Sequence, residues 1–339
     1  MVSKDRLIYL GISIIYFFYE CQARRRLEDP KDILALNARR RTHSKDAEFT
    51  DLGKEYIKGS IWPKPQYEKR SSTIHYRIVP ASFKFVIKSP TADDGKSSES
   101  VPPSNVNLLK SAIIRYKELT FPFKDVCQEN IPSLGDDDDE KEVNELKIVV
   151  QDYHQRLSQE MNESYSLVID AKGSLLTAQS VWGALRGLET FSQAVHLNDS
   201  CYKVSNNHIK DHPRFSFRGF LIDTSRHFIP KKIIFAFLDA MSYSKFNVLH
   251  WHMVDDPSFP YESTSFPALH KKGAFTRKHV YRQKDVQDVI EYAKLRGIRV
   301  MPEFDTPGTR SIVLFFIIIF ISFLYHFCLS ISTCLLYFT

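Results

Sequence analysis

The sequence predicts an α/β protein: an N-terminal α+β domain followed by a partial TIM (β/α)8 barrel. Two observations predict it. Three short apolar runs, residues 217–223, 246–254 and 298–304, each end in a cluster of polar, ionisable residues, with segments of helical spacing between them. Strand followed by helix, repeated, gives parallel strands with crossover helices. Upstream, strands and helices mix over about 150 residues with no internal repeat, as in a compact α+β domain.

The barrel elements follow in order. Residues 217–223 lead to Asp223, Ser225, Arg226 and His227. Residues 231–243 place Ile234, Phe237, Leu238 and Met241 on one helical face. Residues 246–254 carry His250 and His252 and end at Asp255 and Asp256. Residues 285–296 repeat the helical pattern with Val286, Val289, Ile290 and Ala293, and Gly297 stands where a C-cap glycine belongs. Residues 298–304 end at Asp305. The connection 255–283 is too long for a simple link, and its Pro257, Phe259, Pro260, Tyr261, Phe266 and Pro267 predict an ordered binding loop. Polar clusters at C-terminal strand ends are where a barrel builds its active site.

Earlier in the chain, residues 83–88, 146–150 and 165–169 alternate like strands, and 108–116 has helical spacing. Residues 178–194 read as a helix facing inward through Val181, Ala184, Leu185, Leu188 and Phe191. Residues 89–104, rich in Ser, Pro and charge, read as a loop. The acidic run 136–140 lacks calcium-loop spacing and reads as a solvated loop.

The 339 residues suffice for two domains, and the net charge of +6 is interleaved rather than striped, which gives no footing for a nucleic-acid partner. Residues 1–23 read as a secretory signal: Lys4 and Arg6 precede an apolar stretch, and Cys21 and Ala23 suit a cleavage site. The alternative is a retained anchor, for which Glu20 ends the apolar run early. The expected organisation is signal 1–23, propeptide or linker 24–58, α+β domain 59–212, barrel segment 213–308 and an apolar tail 309–339. A secretory route permits a Cys127–Cys201 disulfide and makes Asn162 and Asn198 glycosylation acceptors, each heading an Asn-x-Ser triplet.

Several residues can carry chemistry. Arg226 can grip two hydroxyls or a carboxylate with paired donors, or serve only in an ion pair with a nearby Asp. Asp255 and Asp256, adjacent on extended chain, should point to opposite sides and hold different roles. His250 and His252 share a strand face; they read as metal ligands of a barrel hydrolase or as core and supporting groups. Glu303 and Asp305 lie two apart and can both face the barrel interior. No CxxC or zinc-ligand spacing occurs, so no metal or cofactor is assigned.

Taken together, R-G-F-L-I-D-T-S-R-H-F-I-P (218–230), N-V-L-H-W-H-M-V-D-D-P-S-F-P-Y-E-S (247–263), E-Y-A-K-L-R-G-I-R-V-M-P-E-F-D-T-P-G (291–308) and V-W-G-A-L-R-G-L-E-T-F-S-Q (181–193) resemble glycoside hydrolase family 20, the β-N-acetylhexosaminidases of lysosomes and secretions. The W-P-K-P-Q at Trp62 resembles the start of that family's amino-terminal domain, so the resemblance runs from about residue 59 to 308. It implies removal of terminal β-linked N-acetylhexosamine from glycans with retention, the substrate's acetamido oxygen serving as nucleophile beside an Asp-Glu pair. It implies that Arg226 and Asp255 bind the sugar, that Asp305 and His252 support the site, and that the protein is a homo- or heterodimer in a lysosomal or extracellular setting.

The sequence also departs from the family. The pattern D-T-P-G continues into a His, but position 309 is Thr, and no Asp or Glu follows Gly308 to match the catalytic pair. The expectation is a family chain that is itself inactive. The 309–339 tail reads either as non-native coding sequence or as a membrane span that would anchor a non-enzymatic sugar-binding remnant.

Overall fold

A computed structural model describes residues 59–88, 103–124, 126, 141–198 and 201–305. The signal, the 24–58 stretch, the acidic run, Cys127 and the apolar tail lie outside the described residues.

The first half is a mixed sheet carrying two helices. Its elements are β1 (Tyr67–Ile78), β2 (Lys84–Lys88), α1 (Pro103–Thr120), β3 (Glu145–Asp152), β4 (Tyr165–Asp170), β5 (Gly173–Ser180), α2 (Val181–Ala194), β6 (His196–Asn198) and β7 (Cys201–Asp211). The strand order is β1-β7-β4-β5-β3-β2, with β6 paired to β7. Every second residue of β3 (Leu146, Ile148, Val150) and β4 (Tyr165, Leu167, Ile169) is buried, as the two-residue period of a strand requires. These residues share one core with Leu109, Ala112 and Tyr116 of α1 and with Leu185, Leu188 and Phe191 of α2.

Helix α2 lies unusually close to the sheet. A Cβ on Gly183 would sit 2.3 Å from the Ser164 carbonyl oxygen, and one on Gly187 would sit 2.2 Å from Leu176. Glycine is used here for close approach, to backbone at Gly183 and to the Leu176 side chain at Gly187. The helix starts at Val181, later than the expected residue 178, because Ala178 still belongs to β5, paired with Val150 and Tyr165. Ser180 is its N-cap, the hydroxyl accepting from the N–H groups of Trp182 and Gly183. Strands β1 and β7 were not anticipated. Charged and polar residues interrupt their apolar pattern, and the antiparallel ladder between them supplies the regularity instead.

The second half is a sheet of parallel strands in the order β10-β9-β8. The elements are β8 (Gly219–Asp223), α3 (Lys231–Tyr243), β9 (Val248–Val254), α4 (Pro267–Gly273), α5 (Gln283–Lys294) and β10 (Arg299–Phe304). Ile234, Leu238 and Met241 of α3 and Val289 and Ala293 of α5 pack with Ile222, Leu249, Trp251 and Met253 from the strands. Ile290 departs from expectation: it is 45% exposed, because one residue beyond Val289 already turns out of the buried stripe. Gly297 adopts φ +65° and ends α5 as expected, its N–H bonding Lys294 O while Ile298 N–H reaches Ala293 O. The 255–283 connection is ordered, with α4 inside it and Tyr261 bridged to Tyr281.

Buried ion pairs join the two halves. Glu163 accepts from Arg186 Nε at 2.7 Å, Arg218 Nη2 at 2.5 Å and Asn247 Nδ2 at 3.0 Å. Arg186 also donates to the carbonyls of Arg296 and Gly297. Lys245 Nζ reaches back to Asp211 Oδ2 and Tyr165 OH, each at 2.9 Å. Cys201 is disulfide-bonded, and its partner is not among the described residues. Among the described residues no helix is long and apolar enough to cross a membrane.

Candidate active site

Strand register places the site. In the parallel ladders Asp223 pairs with His252, and His252 with Glu303, so three polar side chains stand in one row across β8, β9 and β10. The row before it is Leu221, His250 and Met301. The intervening residues Ile222 and Trp251 turn to the helices. One face of the sheet is therefore core, and the other becomes polar towards the strands' C-terminal ends.

The turn after β8 is held from both sides. Asp223 Oδ1 accepts from the N–H groups of Ser225 and Arg226, both at 3.0 Å. Ser225 and Ser258, both fully buried, exchange hydroxyl-to-carbonyl bonds and so tie this turn to the loop after β9. Trp251 Nε1 donates to Thr224 Oγ1 beneath it. Phe228 stacks on Tyr281, whose hydroxyl donates to Ile229 O.

This framework presents Arg226 between two carboxylates. Its Nη1 lies 2.7 Å from Asp223 Oδ2, and its Nη2 lies 2.5 Å from Asp255 Oδ2. Arg226 stays half-exposed, whereas the Asp255 side chain is 8% exposed. Burial pushes the Asp223 carboxyl up, but the N–H groups of Arg226 and Ser225 and the Arg226 guanidinium outweigh it and hold the group below its ordinary value. The same carboxylates stabilise the Arg226 cation.

His252 lies behind this pair. Its Nδ1 is 3.2 Å from Arg226 Nη1 and 3.5 Å from Asp223 Oδ2. Its Nε2 is buried with no hydrogen-bond partner; Asp255 Oδ2 stands 3.8 Å away. His250 Nε2 donates to Glu303 Oε2 at 2.6 Å. His252, Glu303 and Asp305 bring ligand atoms within 4.8 Å of one another.

The structure thus places Arg226, Asp255, His252 and Asp305 in one strand-end cluster. Both alternatives for Arg226 hold at once, since it is ion-paired and still partly open. Among the described residues the group of ligand atoms close enough to share an ion contains His252 but not His250, whose Nε2 is bonded to Glu303. The Asp256 N–H donates to Asp255 Oδ1. Asn162 is exposed, and its Oδ1 accepts from Ser164 N and Ser164 Oγ; Asn198 ends β6, paired with Cys201. Sequence reasoning passed over Asp223 as a site residue. The signal was there: an Asp two and three residues ahead of the N–H groups it accepts, in D-T-S-R.

Known proteins are similar to this chain in sequence and fold. A family model described as glycosyl hydrolase family 20, catalytic domain, matches residues 215–314, and one described as beta-acetyl hexosaminidase like matches residues 61–194. The beta-hexosaminidase subunit beta of Homo sapiens is 43% identical over 255 residues, covering 74% of this chain and 43% of the relative. The subunit alpha of Bos taurus is 44% identical over 256 residues, covering 74% and 45%. The crystal structure of Flavobacterium johnsoniae chitobiase superposes with a TM-score of 0.58 at 28% identity, covering 73% of this chain and 35% of that one. The chain therefore spans less than half the length of these relatives.

Proposed function

The chain belongs to glycosyl hydrolase family 20, and from that membership we propose that its site binds terminal β-linked N-acetylhexosamine for hydrolysis with retention. The observation that carries the reading is Arg226, fixed between Asp223 and Asp255 with half of its side chain still open. A guanidinium oriented in this way offers parallel donors to two adjacent sugar hydroxyls, and the Asp255 carboxylate accepts from a hydroxyl beside them. Binding energy gathered here holds the non-reducing sugar while its acetamido group attacks the anomeric carbon.

That attack needs an Asp to orient and stabilise the acetamido group and a Glu to protonate the leaving oxygen. No residue of 1–339 matches that pair. We accordingly assign residues 1–339 sugar binding without turnover, with Asp305 and His252 as supporting groups. A disulfide at Cys201, an exposed Asn162 in its sequon and the signal-like residues 1–23 support a secretory, lysosomal or extracellular location. Dimerisation is carried over from the family as part of the same proposal.

Isothermal titration with N-acetylglucosamine, alongside release of a chromophore from its β-glycoside, tests both halves. Binding that falls at least about tenfold in Arg226→Ala, without chromophore release, is the expected result. Turnover by residues 1–339 would overturn the assignment of chemistry to the missing pair. Binding that ignores Arg226→Ala would overturn the site.

A further inference from the structure

Independently of the sugar reading, we propose that His252 Nε2, Glu303 and Asp305 form a binding site for a divalent transition-metal ion of the zinc class. Three observations converge on it. First, the ligand atoms of the three residues lie within 4.8 Å of one another, a span that two metal–ligand bonds of about 2.1 Å nearly bridge. Second, His252 is 7% exposed, and its Nε2 has no hydrogen-bond partner, the Asp255 carboxylate standing 3.8 Å away. A buried ring nitrogen without a partner is costly unless something fills the place beside it. Third, the local charge does not balance. Arg226 is matched to Asp223 and Asp255, and His250 to Glu303 Oε2. Asp305 bonds Val254 O through its N–H, and its exposed carboxylate adds to the field of Asp223 and Asp255 on Arg226, so three carboxylates share that one guanidinium.

The donor set is one imidazole and two carboxylates, with no sulfur. Imidazole favours zinc over magnesium or calcium, and three protein ligands leave coordination positions for water. The surroundings supply the outer partners such a site needs. His250 fixes Glu303 through Oε2 and leaves Oε1 for the ion. Asp223 Oδ2, 3.5 Å from His252 Nδ1, can take the Nδ1 hydrogen and free the Nε2 lone pair.

Arg226 works against the ion in two ways. It is a cation, and with Nη1 donating to Nδ1 at 3.2 Å the ring hydrogen must sit on Nε2. Metal binding therefore shifts the His252 hydrogen from Nε2 to Nδ1, and removal of Arg226 should strengthen binding. The opposite is expected for a sugar, so one variant separates the two readings.

The test is calorimetric titration of the metal-stripped full chain with zinc chloride. One equivalent should bind, the affinity falling at least about tenfold in Asp305→Asn and in His252→Gln and rising about tenfold in Arg226→Ala. Asp305 is exposed, so its variant keeps the fold even if the His252 variant does not. Absence of stoichiometric binding would overturn the proposal, as would binding that Asp305→Asn leaves unchanged or that Arg226→Ala fails to strengthen.

Discussion

Two clusters of ionised side chains in this molecule are balanced in opposite ways. At the seam between the mixed sheet and the parallel sheet, Glu163 is 3% exposed and receives two arginines and an asparagine, so the carboxylate is fully compensated. At the strand ends, Asp223, Asp255 and Asp305 act on one arginine, which is half-exposed, and Glu303 stands beside them bonded to His250. Burial explains the contrast. A charge removed from water must be paired at once or the fold does not form, whereas a partly solvated cluster can carry a surplus. The closed cluster serves stability, and the surplus at the open one is left for a ligand.

The largest effect should come from opening the closed cluster. Glu163→Ala leaves Arg186 buried without its carboxylate and should cost about 3–5 kcal/mol in urea denaturation. The loss should depend on pH. Burial raises the Glu163 carboxyl, but Arg186 and Arg218 outweigh it and hold the group below its ordinary value. A depressed pKa gives stability that is present above the unfolded value and lost as pH falls through the folded one. The gap between wild type and Glu163→Gln should therefore be wide at neutral pH and close in strong acid. An equal gap at all pH values would contradict the pairing.

Glu189, also at the seam, should behave in the reverse sense. Burial pushes its carboxyl up to about 7, outweighing the Gln193 and Tyr116 hydrogen bonds that pull it down. Between the unfolded carboxylate value and about 7 the native state holds a proton that the unfolded chain does not. Stability should then fall by about 3 kcal/mol as pH rises across that window. Glu189→Gln should flatten this slope; a slope unchanged in the variant would show that another group causes it. The direction favours an acidic setting, in keeping with the proposed lysosomal location.

Lys245 offers a smaller test. It adopts φ 57° just after α3, where glycine is the comfortable residue, and its ammonium reaches Asp211 and Tyr165 across the seam. Lys245→Gly relieves about 1 kcal/mol of backbone strain but strands Asp211, for a net loss of about 2 kcal/mol. A more stable variant would mean that the ion pair contributes nothing. The smallest change in stability is expected at the open cluster. Asp223→Asn should leave the melting temperature nearly unaltered while weakening N-acetylglucosamine binding about tenfold, because Arg226 loses its anchor. A large drop in melting temperature would place Asp223 with the structural ions instead.

Much of this was legible in the chain. Strands β8, β9 and β10 announce themselves as apolar runs, α3 and α5 as apolar stripes, and Gly297 as a cap. Arg226, Asp255 and Asp305 are readable because they stand just beyond apolar runs, and His252 because it lies in one. Strands β1 and β7 are not, since the ladder partners that make them regular lie more than a hundred residues apart. The early start given to α2 has a local cause: Ala178 fits either period until its partners in β3 and β4 are known.

The sequence by itself determined the periodicities, the caps and the family motifs, because these depend on neighbours within a few turns or pleats. Only the tertiary structure decided which charges meet. Glu163 and Arg218 are 55 residues apart, Tyr165 and Lys245 are 80 apart, and His250 and Glu303 are 53 apart. Their encounter depends on strand register and helix packing. Register turned a set of polar residues into one row of Asp223, His252 and Glu303, and packing separated the ions that had to be paired from those left open.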